Sequence, residues 1–409
     1  MQRPLTLTLA LCSLWLSMVA PAAADDWRQF RGTRQTGVAA EAKLPTTWNV
    51  KDGTNIGWTA ELPGRGPSSP IVVDGRVIVT ASSGAAQDRL HVLCYDAASG
   101  KQLWHRQFWA TGRCFTHEQS ANAANTPASD GERIFALYSS NDLVCLDLEG
   151  RLLWYRGLAH DYPKAGNDAG MSSSPLVIGD TVIVQVESQG DSFATGIDTA
   201  SGESRWVIPR STDANWSSPA ELRGKDGKSL ALIQGAKELV AVDPVSGKQV
   251  WQSQLPCDAI SSSTVVDDRI YLPSRGITAL SASPDSAAAN VLWSENKLSP
   301  GAASPIVQDG RLYVMNRAAV LTCADTADGK ILWQQRLKGQ FWATPVIAGG
   351  HAYCLNYEGA CLVVQLGDDE GTLVATNEFG EKLQGSPAVA GNAMFVRSDK
   401  HLWKISEAK

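Results

Sequence analysis

Cys94-Tyr95-Asp96-Ala97-Ala98-Ser99-Gly100-Lys101-Gln102-Leu103-Trp104 decides the fold, because its pattern returns along the chain. Gly196 to Trp206, Ala241 to Trp251 and Cys323 to Trp333 repeat the spacing, and Cys145 to Trp154 is one residue shorter. Each reads small-x-Asp, then Gly, then Trp. Self-similarity at about 40–50 residues marks a propeller or a solenoid.

A strand-like entry precedes each copy. The entries fall at Ser69-Pro70, Thr126-Pro127, Ser174-Pro175, Ser218-Pro219, Ser263-Thr264, Ser304-Pro305, Thr344-Pro345 and Ser386-Pro387. Proline has no N–H to donate and is tolerated at the first residue of a strand. Short apolar runs and Asp-Gly turns follow, as in Ile71-Val72-Val73-Asp74-Gly75, then a second strand such as Arg76-Val77-Ile78-Val79. That is a hairpin signal. A third strand leads into the Asp and a fourth carries the Trp, and four strands make a propeller blade. The expected class is all-β, an eight-bladed propeller of four-stranded antiparallel blades. Only two strands follow the last entry, whereas Ile56-Gly57-Trp58-Thr59-Ala60-Glu61-Leu62 stands alone before the first. This N-terminal strand is expected to complete the last blade.

Trp58, Trp104, Trp154, Trp206, Trp251, Trp293 and Trp333 are then equivalent fourth-strand residues, and the seventh blade lacks one. Periodic recurrence favours a structural role over ligand stacking. Removing such a side chain is expected to cost about 3–5 kcal/mol.

The organisation expected is a signal peptide over 1–24, an N-terminal extension packed on the ring over 25–55, and the propeller over 56–409. Arg3, the apolar Leu5 to Val19 and the small residues Ala22-Ala23-Ala24 read as an export leader. No later stretch approaches a membrane span of about 18 apolar residues. Export to the periplasm, or secretion, is expected. The formal charge is −6, which argues against nucleic acid, whose backbone demands a Lys/Arg surface. Cys94, Cys145 and Cys323 fall two residues before the motif Asp, where other repeats place Gly196 and Ala241, so a buried slot for a small residue is expected. Cys354 and Cys361 flank a hairpin turn and could face each other across it, a bond that geometry must decide. Cys114 and Cys257 have no evident partner.

The run small-x-Asp-x-x-Ser/Asp-Gly-x-x-x-Trp resembles the repeat of bacterial PQQ-type (pyrroloquinoline quinone) β-propellers, over essentially the mature chain. In that family the small residue of one blade meets the Trp of its neighbour. The chain is similar to the stand-alone propeller of the outer-membrane assembly factor BamB, and to exported proteins that open with Trp-x-Gln-Phe-Arg-Gly, here Trp27 to Gly32. The resemblance also implies a possible cofactor. Dehydrogenases with such repeats hold PQQ with a disulfide between adjacent cysteines, a Trp floor and a calcium ion on Glu, Asn and Asp. This chain has no Cys-Cys pair, and no haem, Walker or His-Glu-x-x-His motif.

Propellers bind through loops at the channel mouth, so the long fourth-to-first-strand connections supply the candidates. His117 and Glu118 with Asp168 are read as a metal or acid/base cluster, against a solvated loop as the plainer reading. Arg210, Trp216, Arg336 and Trp342 are placed on the same face as a pocket or partner surface; for the two tryptophans, packing over the mouth is the alternative. Arg28 and Arg31, beside Trp27 and Phe30, are expected to pin the N-terminal segment to the ring.

The leading functional expectation is a non-catalytic, monomeric scaffold with an envelope protein partner, no cofactor and no catalytic residues. The alternative is a PQQ- and calcium-dependent oxidoreductase. A carbohydrate-binding or carbohydrate-cleaving propeller is a third class.

Overall fold

The computed structural model describes residues 26–166 and 169–407; the leader and Asp168 lie outside them. Eight sheets follow one another in sequence order. Blade 1 consists of Ile71–Val73, Arg76–Ser83, Arg89–Asp96 and Gln102–Trp109. Blades 2 to 7 occupy 128–157, 176–209, 220–253, 264–295, 306–336 and 346–378. Blade 8 takes Ala388–Ala390, Ala393–Arg397 and His401–Ile405, and its outer strand is Ile56–Glu61. That strand pairs antiparallel with His401–Ile405, so the N-terminal strand closes the ring.

In every blade the outer strand slips register, in blades 1 to 6 at the small residue and in blades 7 and 8 beside Val363 and Lys404. Cys94 pairs with Trp104 but Tyr95 pairs with Gln102, which leaves Leu103 bulged out. The same shift occurs at Gly196/Ile197, Ala241/Val242, Ala279/Leu280 and Cys323/Ala324. A bulge re-aims the side chains beside it. Here it leaves Leu103, Leu153, Val250 and Leu292 exposed while the adjacent tryptophan turns toward the next blade.

There each indole finds a carbonyl and a glycine. Trp104 Nε1 donates to Leu148 O at 2.9 Å, Trp154 to Thr199 O at 3.0 Å, and Trp206 to Pro244 O at 2.9 Å. Trp58, Trp293 and Trp333 do the same to Ala97, Thr326 and Gly367. The ring of Trp104 lies so close to Gly150 that a Cβ there would stand 2.6 Å from it. The neighbour's contribution is therefore the motif glycine. The small residue faces the tryptophan of its own blade, which corrects the expected pairing. Cys94, Cys145 and Cys323 are fully buried in that slot.

Two joints depart from the rule. Blade 5 has no Asp-to-Gly motif, and Trp251 Nε1 is buried without an acceptor. At the joint between blades 7 and 8, Trp48 of the N-terminal extension stands where a fourth-strand tryptophan is missing. It stacks on Tyr353 at 6.4 Å and packs on Phe379 at 5.9 Å. Trp154, Trp293 and Trp333 likewise meet Phe135, Tyr271 and Tyr313 of their own second strands, with the rings tilted.

Cys354 and Cys361 do not face each other. Leu355, not Cys354, is the partner of Cys361. Cys354 packs toward blade 6 and Cys361 toward blade 8, on opposite faces of one sheet; both are free thiols.

Candidate functional site

The strand entries form a belt around the channel. The backbone N–H of each entry residue donates to the hydroxyl of the next. Ser69 donates to Thr126, Thr126 to Ser174, Ser174 to Ser218 and Ser218 to Ser262, at 2.9–3.0 Å. Ser262 to Ser304, Ser304 to Thr344 and Thr344 to Ser386 continue it over the same range. The fifth entry is therefore Ser262-Ser263, one residue earlier than the sequence suggests. Ser263 stands where the others have proline, and its N–H goes to Gln234 Oε1 at 3.0 Å. The joint between blades 8 and 1 is held differently. Buried Arg397 donates to Ser68 Oγ at 3.1 Å and to Thr80 O at 2.6 Å, and burial pulls its guanidinium down to about 10.

Beneath the belt runs the N-terminal extension. Trp27 pairs with Val72 of blade 1, and Ser129 of blade 2 donates to Arg28 O at 2.8 Å. Arg31 reaches Thr264 Oγ1 at 2.5 Å and Ser263 O at 2.7 Å in blade 5. Gln35 exchanges hydrogen bonds of 2.9 Å with blade 4 through Pro219 O and the Glu221 N–H. Val38–Ala39 then adds to the inner strand of blade 7 in parallel. One segment thus ties together inner strands that lie far apart around the ring.

Above this segment lies a cup of about 340 Å³ with Phe30 at its base. The belt hydroxyls form its waist. His117, Gln119, Trp216, Trp342 and Gln384 come from the fourth-to-first-strand connections and form its wall. Trp216 is fixed by its indole, which donates to Gly170 O at 2.7 Å. Trp342 is 39% exposed at the rim. No arginine, lysine, aspartate or glutamate is among the described residues of the lining.

The other sequence candidates stand elsewhere. Arg210 is withdrawn from the mouth: its side chain is buried between blades 3 and 4, 2.6 Å from Glu187 and 3.0 Å from Glu238. Burial pushes the Glu187 carboxyl above its usual range although Arg210 opposes the shift. This is a clamp, in keeping with the rule that a buried charge needs a partner. Arg336 donates to Ala318 O at 3.2 Å and does not line the cup. Glu118 is exposed, and its carbonyl accepts from Arg65 at 2.8 Å. His117 Nδ1 accepts the Gln119 N–H at 3.2 Å. Among the described residues no three His, Cys, Asp or Glu side chains gather as a metal site. Phe30 and the belt were not singled out in the sequence, although the eight Ser/Thr entries were their visible signal.

Trp109, at the end of the outer strand of blade 1, and Phe115, on the connection to blade 2, are 60% and 55% exposed. Arg89 lies over the Trp109 ring at 5.5 Å and Arg113 over Phe115 at 5.2 Å. Behind them, Ser83 Oγ, His91 and His105 form a hydrogen-bonded row of 2.7 and 2.9 Å. Burial lowers His91 to about 4, and His105 and Arg89 add to the effect.

The family model described as outer membrane protein assembly factor BamB matches residues 38–207, 91–279 and 277–362, overlapping over most of the chain. The chain belongs to this family. BamB from Moraxella catarrhalis shares 19% identity, with a TM-score of 0.64 over 86% of this chain and 97% of that one. A europium-containing methanol dehydrogenase shares 12%, with a TM-score of 0.68 over 91% and 89%. The quinohemoprotein alcohol dehydrogenase from Comamonas testosteroni shares 12%, with a TM-score of 0.66 over 95% and 82%. At these identities BamB and the dehydrogenases share the fold with this chain, and fold does not carry function. No curated protein matches the sequence.

Proposed function

We propose that this BamB-family propeller is an exported, non-catalytic scaffold whose channel mouth docks an envelope protein. The observation that carries the reading is the mouth itself. Trp342 at the mouth is exposed, and so are Trp109 and Phe115 on the outer strand and following connection of blade 1, the last two beside arginines. Exposed aromatics with arginine are the composition of binding hot spots. The outer-membrane assembly description of the family points the same way. Among the described residues no helix is long and apolar enough to cross a membrane.

The quinoprotein alternative fits the cup less well. PQQ is a tricarboxylate, and its partner calcium takes oxygen ligands, carboxylates above all. The described lining offers neither cations for the one nor acidic groups for the other. Two experiments test the proposal. Crosslinking of the full chain in envelope extract is expected to give one dominant adduct, lost in a Trp109→Ala/Trp342→Ala double variant of unchanged fold. Titration with PQQ and calcium is expected to give no saturable binding and no dye-linked alcohol oxidation. Calcium-dependent quinone binding with turnover would overturn the scaffold reading.

A further inference from the structure

We propose that the cup under the mouth is a binding site for a small uncharged saccharide, a mono- or disaccharide. The argument begins with volume. At about 340 Å³ the cavity lies at the small end of ligand pockets, which run from about 300 to 1,000 Å³. It is too small for a folded segment of a partner, and Phe30 stands at its base.

The chemistry of the lining narrows the class. Seven belt hydroxyls each accept a backbone N–H from the preceding blade. A hydroxyl has one proton to donate besides its acceptor lone pairs, so the belt directs a ring of O–H donors toward whatever fills the waist. Gln119 and Gln384 add amide groups that both donate and accept. With no arginine, lysine, aspartate or glutamate in the described lining, an anion or a cation would be desolvated there without a fixed counter-charge, which is costly. A neutral molecule dense in hydroxyls meets the belt and the amides without that penalty.

The walls select shape. Trp216 and Trp342 on the wall and Phe30 at the base offer aromatic surfaces, against which the apolar C–H face of a pyranose can pack. The Trp216 indole is already committed to Gly170 O, so its ring is held in place before a ligand arrives. Such preorganisation lowers the cost of binding.

The cup shares Trp342 with the surface proposed for a protein partner, whereas Gln384 belongs to the cup alone, so either assignment can fail alone. The test is titration of the full chain with glucose, N-acetylglucosamine, maltose and cellobiose, followed by calorimetry and by tryptophan fluorescence. Saturable binding of at least one sugar is expected, weakened tenfold or more in Trp342→Ala and in Gln384→Ala. Val245→Ser, at an exposed turn of blade 4, should bind as wild type. No saturable signal from any of the four sugars would overturn the proposal. So would affinity unchanged in both cup variants, which would place the sugar elsewhere. Because no partner protein is present, the outcome does not depend on the scaffold reading.

Discussion

The indole of Trp206 in blade 3 is packed against Gly247 of blade 4, and its Nε1 donates to Pro244 O at 2.9 Å. Gly247 has φ +69°, and a Cβ placed on it would stand 2.5 Å from the indole. One glycine therefore meets two demands, a left-handed turn and room for the neighbour's ring.

Gly247→Ala is expected to lower stability by more than the turn alone explains. A left-handed non-glycine residue costs roughly 1–2 kcal/mol, and forcing the indole aside adds about 1–3 kcal/mol. Gly227 also has a positive φ but has open space around it, so Gly227→Ala should show the first cost only. Urea midpoints of the two variants check this; equal losses would show that the indole contact is not the constraint.

Trp251 tests the hydrogen bond by its absence. Its Nε1 has no acceptor, whereas that of Trp206 does. Trp206→Phe should cost about 1 kcal/mol more than Trp251→Phe, the net worth of an ordinary hydrogen bond. Trp251→Ala should still cost about 3–5 kcal/mol, because the ring is buried. Thermal melting of the set decides the matter, and an unchanged melting temperature in Trp251→Ala would count against blade packing.

Trp48 is expected to behave as the missing indole of the ring. Trp48→Ala should destabilise by about 3–5 kcal/mol, as for Trp333→Ala. Limited proteolysis should then cut first in the N-terminal extension, since the Trp48 ring, packed on Tyr353 and Phe379, holds that segment to blade 7. Wild-type proteolysis and melting would show that the extension only lies on the ring.

Acid should weaken blade 1. His91 falls from its ordinary 6.5 to about 4 in the folded chain. Between those values the unfolded chain binds a proton that the folded chain refuses. Stability therefore rises with pH across this window and is lost as pH falls from about 6.5 toward 4. The slope should be smaller in His91→Gln, measured as urea midpoints at pH 7 and pH 5. An identical pH dependence in the variant would remove His91 as the cause.

The belt should tolerate exchange among its own residue types. Ser262→Ala removes the acceptor of the Ser218 N–H, and an unpaired buried donor costs about 1–3 kcal/mol. Ser262→Thr keeps the oxygen, as Thr126 and Thr344 do in their blades. Melting temperatures should separate the two variants clearly.

Sequence alone determined the architecture. Asp96 and its counterparts fix their turns locally, as when Asp96 Oδ1 accepts from Ser99 N at 2.7 Å, and such short-range bonds leave a readable spacing. The blade count and the strand that closes the ring follow from the repeats. What the chain could not disclose depends on residues far apart in sequence. Arg210 sits in a mouth-side connection by its position, yet Glu187 and Glu238 draw it into the interior. Trp48 lies outside every repeat and still fills a gap left by the seventh. The entry serines looked like strand starts, and only closure of the circle made them a belt with Phe30 below it. Local spacing encodes the blade; the cup exists only where eight blades and the threaded extension meet, because its walls come from segments that no short-range bond relates.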